Sequence, residues 1–183
     1  MLLLNVDGLK NYHTLKQKVL SNTFPWYLEK YGDGKVTPFE FLTHTILKRG
    51  EDKPNSFIYE DILNFLFELS SKYKFKINEI YRIAFNLTYP CGLKTSGIHA
   101  DHSFDHKSII FYFNNCKDQL GTIIYKEKIN ENEQNTFKND KNLTILNTIK
   151  GEEDTGFMFD GQHFHEAFFP KNDKRIVLVI TFK

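Results

Sequence analysis

His99-Ala100-Asp101 places an imidazole and a carboxylate two residues apart. On an extended chain, side chains at i and i+2 project to the same side, so both can reach one ion. A third donor, His165, lies on a segment that leads into the last apolar run. Two histidines and one carboxylate on one face of a metal leave three coordination positions open. That is the arrangement of non-haem iron(II) centres, where a bidentate cosubstrate and dioxygen bind together. A structural zinc site would close all four of its positions instead.

A lone His-x-Asp is common by chance, so its weight comes from the residues around it. Phe157-Met158-Phe159-Asp160-Gly161 reads as a strand running into a turn ahead of His165, and Arg175 opens the last apolar run. A buried arginine is costly unless it meets an anion. A carboxylate gripped by a bidentate guanidinium would satisfy it; a structural ion pair is the competing account. His163 shares the parity of His165 and stands as an alternative ligand. His102 and His106 read as solvated loop residues.

These side chains need elements to position them. Residues 1–80 read as mainly helical support. Leu9, Tyr12, Leu15, Val19 and Leu20 recur at helical spacing, and Ile58–Tyr73 carries Ile58, Ile62, Phe65, Leu66 and Leu69 on one face. Between them lie the aromatic cluster Phe24-Pro25-Trp26-Tyr27-Leu28 and a Gly32-Asp33-Gly34 turn. From Tyr81 onward the period becomes two. Strands are expected at Arg82–Tyr89, Ser108–Asn114, Gly121–Tyr125, Leu143–Asn147, Gly156–Asp160 and Arg175–Lys183. In the last of these both faces are largely apolar, which predicts burial on both sides. Lys126–Asn142 is polar and reads as a mobile excursion; with the Leu93–Gly97 loop it flanks the expected mouth of the site, as a lid or as ordinary exposed loops. Helices followed by short strands predict an α+β protein, a β-sandwich or barrel covered by N-terminal helices, as one domain over 1–183.

The 183 residues suffice to bury a core. Lys plus Arg (24) nearly balance Asp plus Glu (23), so no global charge argues for nucleic acid or an anionic membrane. Two cysteines, Cys91 and Cys116, are too few for a disulfide framework and have no paired metal spacing. The opening Met-Leu-Leu-Leu-Asn-Val-Asp lacks a basic flank and a cleavage site. No apolar stretch approaches the roughly 18 residues of a membrane span. A soluble cytoplasmic protein is the expectation.

Tyr89-Pro90-Cys91-Gly92, then Gly97-Ile98-His99-Ala100-Asp101, the Ser108–Asn114 strand with Tyr112, Gly121-Thr122, and His165-Glu166-Ala167 with Pro170 and Arg175 occur in order. Over residues 80–183 this resembles the 2-oxoglutarate and iron(II)-dependent dioxygenase superfamily, in its prolyl-hydroxylase-like branch. Phe24-Pro25-Trp26-Tyr27 and the Arg82–Leu87 strand are also similar to small oxygenases of marine bacteriophages, which would place the chain in the cytoplasm of an infected bacterium. The resemblance implies a double-stranded β-helix, a jelly-roll or cupin-like core. It implies iron(II) on His99, Asp101 and His165, favouring His165 over His163. It implies 2-oxoglutarate on Arg175 and Tyr112, with Tyr89 lining the iron-chelating end and Asn86 ranked below it, and ascorbate as an accessory reductant. Two positions depart from the pattern: Val177 stands where some relatives have a serine, and Leu120 where they have a second glycine. Neither removes a metal ligand.

The reaction implied is hydroxylation of a protein side chain of prolyl type, or of a small amino-acid-like substrate, with 2-oxoglutarate converted to succinate. Nucleic-acid dealkylating relatives carry a second arginine where Thr181 stands here, which argues against that substrate class. Two rivals remain. A cupin-like metal enzyme without 2-oxoglutarate would have no need of Arg175 and Tyr112. A non-catalytic binding module on the same fold would be expected to have lost a ligand.

Overall fold

The computed structural model describes residues 1–31, 39–115, 120–131, 133, 137–138 and 142–183. Its elements run β1 (Leu2–Asn5), α1 (Lys10–Val19), β2 (Tyr27–Tyr31), β3 (Phe39–Leu47), α2 (Tyr59–Tyr73), β4 (Ile80–Thr88), β5 (Ile98–His99), β6 (Lys107–Tyr112), β7 (Leu120–Lys128), β8 (Phe137–Lys138), β9 (Ile145–Lys150), β10 (Thr155–Asp160), β11 (His163–Ala167) and β12 (Arg175–Phe182). They form a major sheet ordered β1-β10-β6-β12-β4-β3-β2 and a minor sheet ordered β8-β5-β11-β7-β9. This is a double-stranded β-helix, an α+β fold with two helices on the major sheet.

The centre of the major sheet is β12, paired to β4 on one side and β6 on the other, with all eight residues buried. Its apolar composition on both faces follows from what each face meets. Ile176, Leu178, Ile180 and Phe182 pack with Ile83, Phe85 and Leu87 of β4 and with the apolar stripes of both helices, Leu15 and Val19 of α1, Ile62 and Phe65 of α2. The alternate residues Val177 and Val179 face the minor sheet, with Ile110, Phe157 and Ile124. A third apolar cluster, including Ile123, Tyr125 and Phe164, comes from the opposite parity of β7 and β11 and covers the far side of the minor sheet. Strand parity thus assigns every second residue to the space between the sheets.

Both expected helices are present, but the first 80 residues also supply β1, β2 and β3. The expectation of mainly helical support is corrected here. Phe39, Phe41, Thr43 and Thr45 alternate along β3, which joins β4 in register Thr43↔Asn86 and extends the site-bearing sheet. That alternation is short and mixed with polar residues, so it escapes a search for apolar runs. The Gly32-Asp33-Gly34 turn and Cys116 lie outside the described residues. The described part of Lys126–Asn142 includes the end of β7 and the whole of β8, whose Phe137 pairs with His99, and much of the rest lies outside the described residues. Among the described residues no helix is long and apolar enough to cross a membrane.

Candidate active site

His99 closes the two-residue strand β5 and pairs directly across to His165 on β11, with ring centroids 4.5 Å apart. Asp101 follows where β5 has ended, and its Oδ2 lies 3.8 Å from His165 Nε2. One ligand atom from each of the three lies within 4.8 Å of the others. The structure therefore brings together the three residues that the sequence proposes as ligands.

Their protonation suits a cation. His99 Nδ1 lies 3.0 Å from Gly97 O, and His165 Nδ1 lies 3.0 Å from His163 O. A carbonyl can only accept, so both Nδ1 atoms carry the proton, which leaves each Nε2 as the ring's lone-pair donor. Burial, with His165 beside it, holds the His99 pKa down at about 4. Burial alone would raise Asp101, but His165, His99 and Arg82 outweigh it and keep the carboxylate below its usual range. Ser108 Oγ donates to Asp101 Oδ2 at 2.8 Å, which holds the carboxylate in place. Neutral imidazoles and an ionised carboxylate are what a divalent ion requires.

Arg175 begins β12 and is only 4% exposed. Its Nη2 reaches Thr122 Oγ1 at 3.4 Å, and its guanidinium carbon lies 5.3 Å from the Tyr112 ring centre. Tyr112 Oη and Thr122 Oγ1 are 2.9 Å apart. Among the described residues no carboxylate forms an ion pair with Arg175, and its buried Nε has no hydrogen-bond partner. The structural ion pair that competes as an account of Arg175 is absent among the described residues. Gly121 makes room here: a Cβ would fall 2.6 Å from Tyr112 Oη and 2.5 Å from Ile149 O. A buried guanidinium with an unsatisfied Nε and no ion pair among the described residues, beside two hydroxyls, fits the distal carboxylate of a dicarboxylate.

The triad and Arg175 line one cavity of about 700 Å³. Thr122 and Val177 belong to it, as do Asn86, Ser96 of the Leu93–Gly97 loop, and the aromatic group Tyr31, Phe39, Phe41 and Phe169. Four sequence expectations fare differently. Tyr89 does not line the cavity: it is 49% exposed, follows the end of β4, and has the parity of Phe85 and Leu87 rather than of the inward Asn86 and Thr88. His163 is outside the ligand cluster, its Nδ1 bonded to Tyr125 O at 2.7 Å. His102 and His106 are not solvated. They are 3% and 1% exposed, because the segment after Asp101 folds back under the metal loop, where His102 Nε2 meets Thr181 Oγ1 at 2.9 Å.

Sequence reasoning missed Ser108, Thr122 as a partner of Arg175, and the cavity arginines Arg49 and Arg82. Only Thr122 had a local signal, its place beside Gly121.

By sequence, no family model and no curated protein matches the chain. By structure, many solved proteins do. An oxidoreductase of the 2OG-Fe(II) oxygenase family from Burkholderia pseudomallei is similar at TM-score 0.65 and 15% identity, over 94% of this chain and 79% of that one. The epimerase SnoN from nogalamycin biosynthesis, solved with Fe3+, alpha ketoglutarate and nogalamycin RO, is similar at TM-score 0.63 and 7% identity, over 98% and 75%. A Pseudomonas putida prolyl-4-hydroxylase is similar at TM-score 0.52 and 12% identity, over 98% and 88%. The fold is that of the 2-oxoglutarate/iron(II) oxygenases, prolyl hydroxylases among them.

Proposed function

We propose that this protein is an iron(II)- and 2-oxoglutarate-dependent oxygenase that hydroxylates a small amino-acid-like substrate or a prolyl-type side chain. The observation that carries the reading is the buried Arg175, without an ion-pair partner among the described residues and with its Nε unsatisfied, sharing a cavity with the His99, Asp101 and His165 donor set. Iron(II) and 2-oxoglutarate, when bound, supply dioxygen activation coupled to decarboxylation of 2-oxoglutarate to succinate and carbon dioxide.

The chain's own contribution is positional. His99 and His165 would hold iron(II) through Nε2 and Asp101 through a carboxylate oxygen, and three protein donors would leave positions for exogenous ligands. Arg175, with the Tyr112 and Thr122 hydroxyls beside it, would hold the far carboxylate of 2-oxoglutarate. Val177, Val179 and Ile110 form an apolar floor that keeps water from the reacting centre.

The test is an anaerobic titration of the metal-free chain with iron(II) and then 2-oxoglutarate, following the visible metal-to-ligand charge-transfer band. The band should appear only with both components, vanish in His165→Ala and weaken in Arg175→Ala. Iron binding without a band would favour a cupin-like metal enzyme; no iron binding would favour a binding module.

A further inference from the structure

Two arginines in the cavity hold neither the metal nor 2-oxoglutarate in the chemistry above, although the charge of Arg82 helps keep Asp101 ionised. Arg82 is half-buried on β4, on the inward row with Asn86 and Thr88. It pairs in register with Thr181, whose hydroxyl meets His102, the neighbour of Asp101. Arg49 lies just past β3, and its guanidinium donates to the backbone carbonyl of Asp101. Neither guanidinium forms an ion pair among the described residues, and Arg82 has no hydrogen bond there either. Of the cavity's carboxylates, Glu51 is taken by Lys48 at 3.3 Å.

This pair cannot serve the anion that Arg175 serves. Arg175 pairs with Thr88, six residues along β4 from Arg82, a separation of roughly 20 Å at strand rise. The triad lies between the two ends. Thr122, beside Arg175, is two residues from Ile124, the cross-strand partner of His165, and Asp101 bonds to Ser108, which pairs with Thr181 in the row of Arg82. One cation therefore stands on each side of the metal position. The cavity also carries an aromatic wall: Phe39 and Phe41 stand toward the Arg175 end, since Leu42 pairs with Leu87, and Tyr31 is the ring of this group that reaches the metal ligands. Tyr31 and Phe39 rings lie 5.0 Å apart, and Tyr31 packs edge-on against His99 at 5.9 Å.

We infer that the substrate to be oxidised is a small molecule bearing an oxyanion, held by Arg82 with Arg49, with its apolar part against Tyr31 beside the metal. This rests on the oxygenase reading for its chemistry, but the anion site can be measured without it. A guanidinium half-withdrawn from water gains most from a charged, bidentate acceptor. Carboxylate and phosphate share that chemistry, and the probes separate them.

The experiment titrates the chain, loaded anaerobically with iron(II) and saturating 2-oxoglutarate, with phenylacetate, phenyl phosphate and phenylacetamide by calorimetry. The three share an aromatic body and differ in head group. At least one anion should bind 10-fold or more tighter than the neutral amide, and which one does so identifies the head group. Arg82→Gln should remove the preference, a loss of roughly 10- to 100-fold for the anion, while the charge-transfer band still forms. Arg82→Lys should restore part of it, and Arg49→Gln, on the exposed side, should weaken it without unfolding the chain. Equal binding of the three probes, binding of none, or a preference that survives in Arg82→Gln would each overturn the inference. The same titration on metal-free Arg175→Ala separates the two readings. Arg82-dependent anion binding there, with no band in the loaded wild type, leaves the anion site standing and sinks the oxygenase; a normal band with no anion preference does the reverse.

Discussion

His99 and His165 are each aimed by the carbonyl two residues back, and Asp101 is aimed by Ser108. These bonds cost nothing at the moment of metal binding, because they are already made. Removing one should loosen the ion without removing a ligand. Ser108→Ala is expected to weaken iron(II) binding by about 10- to 100-fold, measured by competition with a chelator. An unchanged affinity would mean that Ser108 does not orient the carboxylate. Loss of a ligand is more severe: Asp101→Ala and His165→Ala should abolish 2-oxoglutarate turnover, read as succinate release, and wild-type turnover in either would sink the ligand assignment. Gly121→Ala acts on the other half of the site. Its new Cβ would press on Tyr112 Oη and on the Ile149 carbonyl. The tyrosine hydroxyl must move from Thr122, and the affinity for 2-oxoglutarate should drop while iron affinity holds.

At the scale of elements, β3 does two jobs: it extends the major sheet and it ties β2 to the segment ahead of α2. The tie is His44, buried, with Nδ1 donating to Pro25 O at 2.8 Å and Nε2 accepting from Ser56 Oγ at 2.7 Å. Burial lowers its pKa, against a smaller opposing pull from the Pro25 carbonyl. The unfolded chain therefore takes up the proton first, at its ordinary value near 6.5. Stability from neutral His44 is whole above that value and is lost as pH falls through 6.5 toward the lower folded pKa. The midpoint of thermal unfolding should fall over that interval, and His44→Asn, which can keep the donor to Pro25, should flatten this part of the profile. A profile identical to wild type would remove His44 from the account.

The elements that carry chemistry were the legible ones. β6, β10 and β12 announce themselves through apolar alternation, and Arg175 through its place at the head of a strand buried on both sides. β3 and β2 did not, because a site-lining strand has threonines and solvent-facing charges where a core strand has leucines. Tyr89 was misplaced for a related reason: one residue past the end of β4 reverses the side on which a side chain falls.

At the scale of the whole molecule, the two faces of the major sheet divide the labour. The outer face is sealed by α1 and α2, and the inner face is held open against the minor sheet to make the cavity. Stability and chemistry are therefore separable by substitution. Phe65→Ala on α2 removes a fully buried ring of the outer core. It should cost about 3–5 kcal/mol in urea unfolding yet leave the charge-transfer band of the folded fraction unaltered. A lost band in folded protein would show that the helices shape the site directly.

The sequence by itself put His99 and Asp101 two residues apart, an arginine at the head of a strand apolar on both faces, and a run of short strands, since each depends on residue type and on a period of two along a single strand; the β-helix and the preference for His165 over His163 came from the family resemblance. Tertiary structure alone decided what faces what. Parity sorts a strand's residues into two faces but cannot say which face meets helices and which meets a cavity. It took the registers of β4, β12 and β6, and the folding of 102–106 beneath the metal loop, to bury His102 and His106, to exclude Tyr89, and to set Arg82 and Arg49 beside the three ligands.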